Sequence, residues 1–473
     1  MKRRILSFGL LLALCSTLAT AFTGTALASA RTTPASSHCV TPGATSTLQG
    51  TIDGAIYLIQ VPANWNGTLL LYSHGYAFVT SPLRAQDASD PLTGGALLQQ
   101  GYALAGSSYS QNGWALEQAF HDQIALLDFF DTTCGHPMRT IPWGDSLGGI
   151  ITAGLVQLDP QRFAGAMPLC GVLAGGIGTW NQALDAAFVF NVLLAGSALP
   201  VVHISNPGDA FSKAEALIAA AQATPEGRAR IALVSALGDT PGWFSAASPE
   251  PAATDYATRE QNQFLWSSQV DFAFIFLARA ELEARSGGNP SWNVGVNYRI
   301  QLDRSVDRKE VRALYQQAGL SLDRDLDALN RAPRIAADLQ AVHYLNQFVT
   351  FNGDLDIPVL TMHTSGDGLV VNEDEQAYAS VVHQAGDTAL LRQVFVHRAG
   401  HCTFTPAENL AGLQTLFHRL DTGRWGNATD PALMNQEAAA TGPALNLAPP
   451  AFFQFEPAPF LRPFAFPERF GGR

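Results

Sequence analysis

Apolar residues recur along the chain with three different periods, and these predict its elements. In "STLQGTIDGAIYLIQVP", residues 46–62, two short alternating runs flank Asp53-Gly54, the pattern of a β-hairpin. "GTLLLYSHGYAF" (67–78) and "GYALAGSSYS" (101–110) are instead continuous apolar runs, which suit strands covered on both faces. "ALEQAFHDQIALLDFFDTTCG" (115–135) has helical spacing and ends on a glycine. "RTIPWGDS" then reads as a strand, "LGGIITAGLVQL" as a helix and "FAGAMPLCG" as a strand. Alternation of strand and helix predicts a parallel, right-handed α/β sheet.

From about 172 to 355 the segments are mostly helical in spacing, with no apolar strand run. The strand pattern returns at "DIPVLTMHTSGDGLVV" (356–371), followed by a helix rich in Glu and Asp, the strand "LLRQVFVHRAGH" (390–401) and a closing helix. Thr405, Pro406 and Glu408 open that last helix as a capping box. One sheet interrupted by a helical insertion accounts for the pattern. The insertion is rich in aromatic residues, among them Trp180, Trp243, Trp266, Phe272, Phe274 and Phe276, some of which are expected to line a pocket. The predicted organisation is an export signal at 1–30, a first core half at 31–171, the insertion at 172–355 and a second core half at 356–425. A Pro/Phe-rich tail at 426–473 is expected to pack on the body.

Composition narrows the function. Charged residues make up only 14% of the chain against 47% hydrophobic, so a large core is expected. The net charge of −12 argues against nucleic acid as a partner. "MKRRILSFGLLLALCSTLATAFTGTALASA" carries a basic start, an apolar stretch and small residues at Ala26, Ala28 and Ala30, which predicts cleavage and secretion rather than stable membrane insertion. Apart from Cys15 in that signal, Cys39, Cys134, Cys170 and Cys402 form an even set in an oxidising compartment, with three possible pairings.

The candidate chemistry lies in "TIPWGDSLGGIITAGL" (140–155), which contains both "GDSL" and G-x-S-x-G around Ser146. Hydrolases of the GDSL type carry the serine near the mature start and a late D-x-x-H pair; here Arg398 stands three before His401, so that reading fails. G-x-S-x-G fits its context: a strand, a turn cleared by Gly144, Gly148 and Gly149, and a helix.

On these residues the chain resembles a secreted, capped member of the α/β-hydrolase superfamily over 48–171 and 356–425. The resemblance implies a mostly parallel α/β-hydrolase sheet with a large helical cap inserted between the strand after the nucleophile helix and the strand bearing the acid. It implies Ser146 as nucleophile, Asp367 in "HTSGDGLV" as acid and His401 in "HRAGHCTF" as base, with no metal and no cofactor. His397 competes with His401 but lies within a strand; Asp354 and Asp356 compete with Asp367 but precede theirs. The oxyanion donors implied are the amides of Leu147 and Tyr76, with the Tyr76 hydroxyl as a possible third donor. With Cys170 and Cys402 at one sheet edge, a Cys170–Cys402 bridge would pin the histidine loop and leave Cys39–Cys134 as the second.

The expected activity is hydrolysis of carboxylic esters with an apolar or aryl acyl group, polyester oligomers included. Two alternatives stand beside it. An exported aminopeptidase of the proline or tripeptidyl type would use Asp255 and Glu260 for the substrate amine. A catalytically inactive binding protein on the same fold would lack a triad member.

Overall fold

The computed structural model describes residues 38–463, so the export signal expected at 1–30 lies outside the described residues. The strands are β1 (Ser46–Ile52), β2 (Ala55–Val61), β3 (Thr68–Ser73), β4 (Ala103–Ser107), β5 (Arg139–Asp145), β6 (Met167–Leu169), β7 (Val359–Gly366), β8 (Leu391–Ala399) and β9 (Phe452–Phe453). They form one nine-stranded sheet in the order β1-β2-β4-β3-β5-β6-β7-β8-β9. The strands from β4 and β3 through β8 pair in parallel, and β1, β2 and β9 run antiparallel at the edges. Asp53 and Gly54 both take positive φ, 49° and 92°, as the two-residue turn of the first hairpin requires.

Helices α1 (Pro91–Gln99), α2 (Leu116–Cys134) and α3 (Leu147–Leu158) join the first strands. Helices α4 (Gly175–Leu193) to α12 (Leu339–Phe348) lie between β6 and β7, and α13 (Glu373–Ala385), α14 (Pro406–Thr422) and α15 (Pro431–Ala440) follow. This is the α/β-hydrolase sheet with its helical insertion where the sequence pattern puts it.

The period of two along β3 sorts its residues between two cores. Leu69 and Leu71 join Leu126, Phe130, Ile150 and Tyr378 under α2, α3 and α13. Leu70 and Tyr72 join Leu97, Leu410 and Met434 under α1, α14 and α15. The insertion has a third core of its own around Phe188, Phe190, Phe272, Phe276 and Tyr298. The tail forms more structure than a packed Pro/Phe segment. Phe452 and Phe453 add an edge strand to Val396 and Phe395, and Arg462 reaches Asp185 and the Trp292 carbonyl in the insertion.

Candidate active site

The carboxyl ends of β3, β5, β7 and β8 carry the residues of interest, the edge at which open α/β sheets place their ligands. Ser146 sits between β5 and α3 with φ 61° and ψ −119°, a conformation that costs a non-glycine residue of order 1–3 kcal/mol. Glycines make this turn possible. A Cβ on Gly148 would lie 1.8 Å from the Ser73 carbonyl oxygen, and one on Gly144 2.3 Å from it. Asp145, next to the serine, is pinned to β3 by the Tyr72 hydroxyl at 2.8 Å; burial pushes its carboxyl up to about 6.

The loop after β3 is anchored around Ser146. Gln123 of α2 donates to the Tyr72 carbonyl and to Ser73 Oγ, both at 2.7 Å, and the Tyr109 hydroxyl donates to the His74 carbonyl at 2.9 Å. Gly75 then passes close enough that a Cβ there would stand 3.3 Å from the Ser146 Cβ. This brings Tyr76 beside the serine, and Leu147 opens α3, where the first amides have no acceptor within the helix. The Tyr76 ring packs edge-on against Phe78 and Phe274, and its buried hydroxyl has no partner among the described residues.

Asp367 follows β7 and is fully buried. Its Oδ1 accepts from the amides of Leu369 and Val370, each at 3.1 Å, and its Oδ2 lies 2.7 Å from His401 Nδ1. Burial opposes the charge on Asp367, but His401 and His363 outweigh it and hold the carboxyl below the usual range. His401 follows β8 with its side chain 20% exposed. Cys402 beside it is bonded to Cys170 at the end of β6, and Cys39 is bonded to Cys134. Ser146, Cys170 and Cys402 all have positive φ, so backbone strain gathers at this edge. The Ser146 hydroxyl makes no hydrogen bond among the described residues; contacts of this kind often tighten only with substrate bound.

Ser146, Leu147 and Tyr76 line a cavity together with Trp114, Trp180 and Phe274. Its volume is about 80 Å³, against the ~10–15 Å³ that admits one water on that measure. One acid faces this apolar space: Asp271, in a π-helical turn of the insertion. Burial and the nearby charge of Asp367 push its carboxyl up to about 8.

The competing residues lie elsewhere. His397 is exposed, its ring tilted against those of Trp243 and Phe453 and 3.6 Å from Glu250. Asp354 bonds Asn352 before β7. Asp255 caps a helix of the insertion through the Thr258 amide, and Glu260 is buried against Gln222; neither lines the cavity. Sequence reasoning missed Asp271 and His363. The available signals were a lone acid inside the aromatic run "VDFAFIF" and a histidine inside an apolar strand.

Among known proteins the chain is similar to an o-phthalyl amidase from Xanthobacter agilis, 30% identical over 422 residues, covering 82% of this chain and 90% of that protein. No protein-family model matches it. Among solved structures, feruloyl esterase B from Aspergillus oryzae aligns over 80% of this chain and 81% of its own at 15% identity, with a TM-score of 0.39. A thermostable carboxyl esterase from Bacillus coagulans aligns over 81% and 99% at 11% identity, with a TM-score of 0.38.

Proposed function

Because the chain belongs to the family of the Xanthobacter o-phthalyl amidase, we propose that it is an exported serine hydrolase that releases a small aromatic acid from an ester or amide. The observation that carries this reading is the cavity in which Ser146 meets an aromatic wall, with the 2.7 Å Asp367–His401 pair beside it at the same sheet edge.

In this reading Ser146 Oγ attacks the acyl carbon while His401 Nε2 takes its proton, and Asp367 fixes the imidazole tautomer and stabilises its charged form. Negative charge on the carbonyl oxygen is met by the amides of Tyr76 and Leu147; losing one such donor costs roughly 2.7–4 kcal/mol of barrier. His401 then returns the proton to the departing alkoxide or amine. Water, deprotonated by His401, releases the acid and restores Ser146.

The narrow cavity favours an aryl acyl group over a polyester chain. Asp255 and Glu260, the acids an aminopeptidase is expected to use, do not line it. Export is supported by the two disulfides, which persist in oxidising compartments. No helix among the described residues is long and apolar enough to cross a membrane.

Turnover of paired aryl esters, aryl anilides and aminoacyl anilides tests the proposal. Cleavage of benzoyl or 2-carboxybenzoyl compounds, lost in Ser146→Ala, is the expected result. Preference for substrates with a free amine would contradict it.

A further inference from the structure

We infer that His363 is a positioning residue for this triad: a buried imidazolium behind Asp367 whose fixed charge keeps that carboxylate ionised and sets the pH at which His401 becomes a usable base. The inference rests on the triad reading of Ser146, His401 and Asp367. It concerns a residue that does not line the cavity.

Geometry assigns the charge. The His363 side chain, in the middle of β7, is 0% exposed. Its Nε2 stands 2.8 Å from the Val370 carbonyl, which only accepts, so this nitrogen carries a proton. Its Nδ1 stands 3.2 Å from Glu375 Oε1. The other oxygen of Glu375 receives both the Thr361 hydroxyl and the Gln393 amide, the surroundings of an ionised carboxylate. Nδ1 therefore donates as well, and a ring with two N–H groups is an imidazolium. Burial alone would strip this proton, but hydrogen bonds to Asp367 and Glu375 prevail and push the ring up to about 10.

The charge has a specific recipient. His363 Nε2 lies 3.5 Å from Asp367 Oδ2, the oxygen that holds His401 Nδ1 at 2.7 Å. His363 faces Asp367 after β7 and Glu373, Asp374 and Glu375 on α13. His401 faces Asp367 and, from the end of β5, Asp145; Asp271 of the insertion faces Asp367. Glu375 and Asp367 are both fully buried, and His363 stands between them, so its charge offsets the repulsion that two carboxylates would feel in a dry interior.

The same charge partly cancels the pull of Asp367 on His401, so removing it raises the pH at which His401 gives up its proton. Across the shared Oδ2 the two ring nitrogens are at most about 6 Å apart. A unit charge at about that distance, in an effective dielectric of about 20, corresponds to roughly two pH units.

The test is the pH dependence of kcat/KM on an aryl ester for the full chain, His363→Gln and Ser146→Ala. Alongside it, the His363 ring is observed by ¹⁵N NMR in the unvaried protein at pH 8. The expected results are a ring protonated on both nitrogens and an acid limb moved up by about one to two pH units in His363→Gln. A neutral ring at pH 8 overturns the inference whether or not the variant folds. So does an unmoved limb in a folded His363→Gln while Ser146→Ala is inert. Undiminished turnover by Ser146→Ala would instead overturn the triad reading and this inference with it.

Discussion

Asp271 shows how one side chain can govern what the cavity accepts. At neutral pH its carboxyl, held up to about 8 by burial and by Asp367, is uncharged and makes no hydrogen bond or ion pair among the described residues. Above that pH it becomes an anion facing the acyl group. An anionic substituent about 4 Å away meets about 1 kcal/mol of repulsion even at the dielectric of water and more in this apolar space, about a five-fold loss in binding or greater. The KM for a 2-carboxybenzoyl ester is therefore expected to rise about five-fold or more between pH 7 and 9, and to stay flat for the benzoyl ester and in Asp271→Asn. Steady-state kinetics on the two esters decide it; equal pH dependence for both would remove Asp271 from the acyl site. The Tyr76 hydroxyl, packed between Phe78 and Phe274, reads as part of the pocket wall, so Tyr76→Phe is expected to leave turnover within two-fold.

At the scale of elements, the turn between β5 and α3 tolerates no side chain beside Ser73. Gly148→Ala forces overpacking against a backbone oxygen, with an expected cost of about 1–3 kcal/mol or more and loss of turnover. Gly95→Ala in α1, where a Cβ meets nothing within 4 Å, is the control and should gain up to about 1 kcal/mol. Thermal unfolding of the two variants reads this difference directly. Removing the Cys170–Cys402 bond should cost about 2–5 kcal/mol. It should also reduce activity far more than removing Cys39–Cys134, because Cys402 follows His401 directly. The elements themselves were legible where the signal is local: continuous apolar runs mark β3, β4, β5 and β7, and the order serine, acid, histidine after successive strands is a property of the chain alone. What escaped depends on tertiary context. The sequence shows that the start of α13 is rich in acids but not that Glu373, Asp374 and Glu375 are all buried, and only that burial reveals what His363 is for. The two residues of β9 are too few to carry a period, and nothing in the sequence places Asp271 beside an acid nearly a hundred positions later.

The molecule as a whole carries many acids with raised affinity for protons. Burial pushes Asp145 up to about 6, Glu260, Glu310 and Asp374 to about 7, and Asp271 and Glu373 to about 8. In the unfolded chain these groups titrate near 4. Between about pH 4 and 8 the folded chain thus binds protons that the unfolded chain has released, so stability falls as pH rises through that window. His363, held up to about 10, acts in the same direction from its ordinary value of about 6.5 upward. Asp367, shifted the other way, contributes stability that is lost only as pH drops below the usual carboxylate range. The melting temperature is therefore expected to peak near pH 4, where the unfolded carboxyls begin to release their protons, and to fall steadily toward pH 9. Scanning calorimetry at constant ionic strength measures this, and a flat or rising profile would contradict the assigned buried charges.

The central claim is that the strand ends converge to make Ser146 a nucleophile, and reaction with an aryl fluorophosphonate tests it most directly. Mass spectrometry of the treated protein should show one adduct per chain, on the peptide containing Ser146, formed at least a hundred-fold more slowly in His401→Ala. No adduct, or an adduct on another residue with Ser146 untouched, would contradict the account.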